Sequence, residues 1–117
     1  RRMTDKPLFP EATRELRNQR NELAPEIGEA WTKFSRTVFA PGALDAKTKQ
    51  LLAVAVAHVT QCPYCIRSHT RGALKAGATR EEVMEAIWVA AEMRAGGAYA
   101  HSNLALDVMN ELAAEQA

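Results

Sequence analysis

An all-α, single-domain fold of about six helices follows from three observations. The chain is rich in alanine, and only 6% of its residues are aromatic, a bias toward helix formers. Its apolar residues recur at three- and four-residue intervals, and no stretch alternates as a half-buried strand would. Proline, glycine and capping residues stand at the ends of those periodic stretches.

Residues 1–10 carry Pro7 and Pro10 and read as a loose arm, leaving 11–117 as one helical domain. The charged stretch from Glu11 to Leu23 has a thin apolar stripe at Ala12, Leu16 and Leu23, enough for a first helix. Pro25 suits the first turn of a second, where its missing N–H would be unpaired anyway. That helix spaces Ile27, Ala30, Trp31, Phe34 and Val38 on one face and stops at Ala40-Pro41-Gly42. Asp45 is placed to cap a third helix. Its stretch Gln50 to Val59 is apolar nearly all round, which predicts burial on most sides. Pro63 opens a fourth helix running to about Ala76, with Cys62 as its N-cap residue and Gly77 as the left-handed residue closing it. Thr79 and Glu82 form a capping box for a fifth. The Gly96-Gly97 pair is expected to interrupt that helix, and a sixth runs from about Ala98 to Ala113. Trp31 and Trp88 read as core or subunit interface.

Composition narrows the function. Of 117 residues, 47% are apolar and 25% charged, within the range of folded globular chains. Fifteen Lys and Arg against fourteen Asp and Glu give a net charge of +1, with no basic cluster beyond Arg1-Arg2, which argues against nucleic acid as a partner. The longest apolar run, Leu51 to Ala57, is seven residues, where a membrane span needs about 20. No basic-then-apolar leader is visible, and a cytoplasmic location is expected. The two cysteines form a single CxxC, too few and too close for a secreted disulfide scaffold. Redox or metal chemistry is the remaining reading.

The motif is Cys62-Pro63-Tyr64-Cys65-Ile66-Arg67-Ser68-His69. Cys65 and His69, four apart on a helix, share one face, with Cys62 at the amino end. A helix start stabilises a thiolate. A neighbouring imidazole adds to this, and such sites lower a thiol pKa from about 8.5 to roughly 3.5–7.5. These are the parts for reversible thiol–disulfide exchange. The competing arrangement is structural zinc held by Cys62, Cys65 and His69, with His58 or His101 as fourth ligand. A helix-rich chain with its own core does not need such a staple, so no metal is expected. Tyr64 reads as a packing residue, and Arg67 and Arg71 as solvated charges.

Residues 47–69, together with Gly72-Ala-Leu-Lys-Ala-Gly77 and the Ala95-Gly-Gly-Ala segment, resemble the alkylhydroperoxidase D-like branch of the carboxymuconolactone decarboxylase superfamily. The signature there is Glu, eleven residues, Cys-x-x-Cys, three residues, His. The resemblance covers roughly residues 25–110 and implies a helical fold assembled as a homo-oligomer, trimer or hexamer. It implies a peroxidase in which Cys65 attacks a hydroperoxide, Cys62 resolves the sulfenate into a disulfide and His69 relays protons. No prosthetic cofactor is implied. The implied reductant is a dithiol on a lipoylated or thioredoxin-like protein.

The position of the family's relay Glu, twelve residues before Cys62, is Gln50 here. An amide cannot take up a proton at neutral pH, so another base is expected. His58, one helical turn before Cys62, is the first candidate; Glu29 and His101 are the others. Two rival functions stand beside the peroxidase. One is a decarboxylase acting on a carboxymuconolactone, which has no use for the cysteine pair. The other is a non-enzymatic, metal-binding or redox-sensing oligomer.

Overall fold

The computed structural model describes residues 6–117. Five helices and no strand occur among the described residues: α1 (Arg14–Leu23), α2 (Pro25–Phe39), α3 (Ala46–Thr60), α4 (Pro63–Lys75) and α5 (Arg80–Glu115). The expected arm falls partly outside the described residues; from Lys6 the chain carries no helix before Arg14. The first helix starts later than Glu11 because Thr13 caps it, its hydroxyl accepting the Leu16 N–H at 3.2 Å.

By its contacts the chain divides into two compact units, one ending at Pro41 and the other Gly42–Ala117. In the first, α1 packs on α2, with Pro25 in the first turn of α2 as its fixed φ allows. The apolar stripe of α2 is exposed, and Trp31 keeps 65% of its surface in solvent.

In the second unit α3 packs against both α4 and α5. Each of these helices begins on a side-chain cap. The Asp45 carboxylate takes the Thr48 N–H at 2.8 Å, which holds its pKa below the usual carboxylate value. Thr79 and Glu82 exchange bonds of 3.0 and 2.8 Å in the expected capping box. Gly77, at φ +97°, closes α4 in the left-handed conformation that its missing Cβ permits. Lys47 and Glu82 meet at 2.9 Å and tie the starts of α3 and α5 together.

The core of this unit is small. Val54, Ala73, Ala78 and Val83 form its centre, with Leu51 and Ile87 packed against them. Alanine at Ala57, Ala73 and Ala90 brings the helices close together, and Val54 has no exposed surface.

Two expectations are corrected. The Gly96-Gly97 pair does not break the helix: α5 runs through it, 36 residues in all, giving five helices rather than six among the described residues. Glycine weakens a helix by about 1 kcal/mol relative to alanine without stopping it. Here no proline follows to remove a bond, and strong helix formers flank the pair. Nor is α3 buried on most sides within one chain: Leu52, Val56 and Val59 are exposed, because α4 and α5 cover only part of its surface. Trp88, at 69% exposure, is likewise not core within the chain.

Two substitutions test this packing. Val54→Ala is expected to lower unfolding free energy by about 2 kcal/mol, from lost methyl burial and the cavity left behind. Gln61→Gly should instead raise it by about 0.5–1 kcal/mol, because Gln61 is held at φ 58° in the left-handed region. Urea titration followed by circular dichroism measures both.

Candidate redox site

The site is built on the turn between α3 and α4. Gln61 takes the left-handed conformation and its N–H bonds to the Ala57 carbonyl. The Cys62 N–H bonds to the same oxygen at 3.1 Å, so the end of α3 is satisfied and the chain turns sharply. Pro63 then starts α4 without an N–H to leave unpaired. Cys62 is the N-cap residue, as its position before the proline predicts. Its sulfur accepts the Cys65 N–H at 3.2 Å, and its carbonyl takes the Ile66 N–H at 2.9 Å.

Cys62 and Cys65 are joined by a disulfide, their Cα atoms 5.2 Å apart, within the span such a bridge requires. Both are half-buried, and Tyr64 between them is exposed. The bridge therefore lies at the surface, across the first turn of a helix.

His69 lies one turn beyond Cys65 on the same face of α4. Its Nδ1 is 2.8 Å from Oε1 of Gln50, which reaches across from α3. An amide oxygen only accepts, so this bond assigns the proton to Nδ1 and leaves the lone pair of the neutral ring on Nε2. Burial disfavours the charged ring and pulls the His69 pKa below its usual 6.5. At neutral pH His69 is therefore an uncharged imidazole, able to accept a proton at Nε2.

The other candidates are placed differently. His58, half-buried on α3, directs Nδ1 to the Val54 carbonyl of its own helix at 2.7 Å. His101 does the same on α5, with the Gly97 carbonyl at 2.7 Å. Glu29 belongs to the first unit, where it lines an open groove with Asn21, Thr32, Lys33 and Arg36. Among the described residues no three His, Cys, Asp or Glu side chains converge as a metal site would require.

Sequence reasoning discounted Gln50 because it cannot titrate. The structure makes it the partner that orients His69. Gly72, which counted above only toward the family resemblance, was given no role: a Cβ built there would lie 2.5 Å from Gln50 Oε1, so the amide occupies the space beside that glycine. A glycine inside a helix, three residues after a candidate imidazole, was the available signal.

The sequence profile of the carboxymuconolactone decarboxylase family matches residues 25–107. The chain belongs to that family. A family protein from Thermotoga maritima, for which a part in the antioxidative response has been suggested, superposes with a TM-score of 0.57 at 30% identity, over 74% of this chain and 90% of its own. A structural-genomics protein from Methanobacterium thermoautotrophicum superposes with a TM-score of 0.67 at 37% identity, over 71% of this chain and 93% of its own. In sequence, uncharacterized protein 4 in the cox locus of Paracoccus denitrificans is 57% identical over 104 residues, 89% of this chain and 93% of that protein. The all-helical carboxymuconolactone decarboxylase fold expected from the CxxC region is thus the fold observed.

Within this family fold the bridge should open and close without unfolding. Reduction is expected to release two thiols that react with a small alkylating reagent, while helix content stays constant. Intact-mass measurement after alkylation, with and without prior reduction, checks this beside circular dichroism.

Proposed function

We propose that this chain is a thiol-dependent peroxidase that reduces small hydroperoxides through Cys62 and Cys65 and is recharged by a dithiol. The observation that carries the reading is the half-exposed sulfur pair at the start of α4, one turn from a neutral imidazole held by Gln50. In the reduced protein His69 takes the Cys65 proton at Nε2. The resulting thiolate attacks the outer oxygen of the hydroperoxide, breaking the O–O bond. The departing alkoxide leaves as the alcohol after receiving that proton, and Cys65 becomes a sulfenic acid. Cys62, whose charged form the helix start favours, gives up its proton and attacks the Cys65 sulfur; the S–O bond breaks, the hydroxide leaves as water with that proton, and the disulfide forms. A dithiol donor, lipoylated or thioredoxin-like, returns two electrons and two protons by exchange. His58 is assigned the second relay position, one turn before Cys62, with Nδ1 already committed to the Val54 carbonyl.

The active form in this reading is a homo-oligomer, trimeric or hexameric, in the cytoplasm. What supports assembly is the apolar surface left outside: Trp31, Trp88 and Tyr99 are 65%, 69% and 83% exposed, and Met93, Leu104 and Leu112 are exposed with them. Large apolar side chains left exposed in such number mark protein contacts.

The experiment is a peroxide-consumption assay on the reduced protein with a dithiol donor. Cys65→Ser is expected to abolish turnover, and Cys62→Ser to stop it after a single cycle with Cys65 left as sulfenic acid. Peroxide turnover retained by Cys65→Ser would exclude Cys65 as the attacking thiol, and a reduced wild type that consumes no peroxide would exclude the peroxidase and favour decarboxylase-type chemistry.

The pH dependence follows from His69. Its folded pKa lies below 6.5, so the acid limb of the rate should fall below the pH at which a free imidazole titrates. The same shift makes the unfolded chain the better proton binder in that interval. Stability contributed by keeping His69 neutral is present above 6.5 and lost as pH falls through the folded value. Rate and unfolding measurements between about pH 5 and 8 test both statements. Gln50→Glu places a titrating carboxylate against His69 and is expected to raise peroxide turnover; an unchanged rate would mean His58 already supplies the second base.

A further inference from the structure

We propose that Gly72 is a positioning residue for His69: its missing side chain leaves the recess on α4 in which the Gln50 amide lies while it holds the imidazole. Helix geometry alone does not call for glycine here. Gly72 stands inside α4, and Gly77 is the glycine with positive φ among the described residues. Alanine would make a stronger helix at this position by about 1 kcal/mol. The reason for glycine is therefore spatial. A Cβ at residue 72 would lie 2.5 Å from Oε1, 2.8 Å from Cδ and 3.3 Å from Nε2 of Gln50. Ordinary contact for a carbon begins near 3.5 Å, so the whole amide, and not one atom of it, fills the place of the absent methyl group.

The amide is the end of a flexible side chain, so a methyl group at residue 72 would displace it rather than the helices. Displacement breaks the 2.8 Å bond to His69 Nδ1. Residues 69 and 72 are one turn apart on the same face, and Oε1, the acceptor of the His69 bond, is the atom nearest the methyl position, so clearing the methyl group moves that acceptor first. The Nδ1–H tautomer then loses the acceptor that favours it, and the equilibrium shifts toward Nε2–H, where the lone pair needed at Nε2 is taken up. The effect on rate rests on the proposed role of His69 in proton transfer; the effect on the tautomer does not.

The test is nitrogen NMR of the imidazoles above about pH 8, where the neutral ring dominates, on the wild type, Gly72→Ala, Gln50→Ala and the double variant. The wild type is expected to show His69 protonated at Nδ1. Gly72→Ala and Gln50→Ala should both move it toward Nε2–H, and the double variant should match Gln50→Ala. Peroxide turnover in each single variant should fall about three- to tenfold, the size of one lost hydrogen bond. Gly72→Ala should unfold close to the wild-type temperature, the gain in helix propensity offsetting the lost hydrogen bond. An unchanged Nδ1–H signature in Gly72→Ala overturns the proposal, as does a further tautomer shift when Gly72→Ala is added to Gln50→Ala. Should Gly72→Ala fail to fold, a folded double variant supports the clash with the amide, and an unfolded one overturns it. A tautomer shift with unchanged turnover upholds the positioning role and removes His69 from the chemistry.

Discussion

The arrangement depends on the two-residue turn that joins α3 to α4. Gln61 accepts a left-handed backbone, and in return the Ala57 carbonyl is met by two N–H groups and α4 can begin at once. A looser connection would leave Cys62 in a loop, with its sulfur free to rotate. Here the sulfur is the cap itself, fixed by the Cys65 N–H and thereby aimed at the residue to which it is bonded. The same turn sends α4 back along α3, which brings His69 opposite Gln50 across a sequence separation of 19. The bridge, the cap and the oriented imidazole all follow from one backbone reversal.

The interior that supports this reversal is built mainly from small residues. Alanine at 57, 73, 78 and 90 allows close helix approach but buries little apolar area. By the usual yield of roughly 25 cal/mol per Å², most of the area that could stabilise the fold lies on the exposed faces of α2, α3 and α5. A chain arranged this way concentrates its specific geometry near the sulfur pair and leaves its bulk hydrophobicity for the outside. Assembly, in the proposed reading, supplies the stability that the single chain forgoes.

Much of this was readable in the residues because the decisive signals are local. Asp45, Pro63, Gly77 and the Thr79–Glu82 pair each satisfy or remove a backbone group within one turn, and each marks the boundary that it predicts. Gly96-Gly97 misled because glycine is read as punctuation, whereas inside a helix it is only a weak penalty that the flanking residues outweigh. The exposure of α3 could not be read either: an all-round apolar helix states that it will be covered, not by which chain. The Gln50–His69 bond lay out of reach for another reason. It joins side chains on different helices, and the need for Gly72 beneath it becomes visible only when the packing of α3 on α4 is known.

The Cys62 contact also biases the redox balance of the pair. In the bridged state its sulfur is a neutral acceptor for the Cys65 N–H. Once the bridge opens, the same atom can carry a full negative charge at the positive end of α4, where that contact strengthens. The first turn of the helix thus stabilises the open form more than the closed one and makes the closed pair the better electron acceptor. Any change that lengthens or frays the start of α4 would weaken that preference, so the thermodynamic poise of the sulfurs is set by backbone amides, with no charged side chain needed beside them.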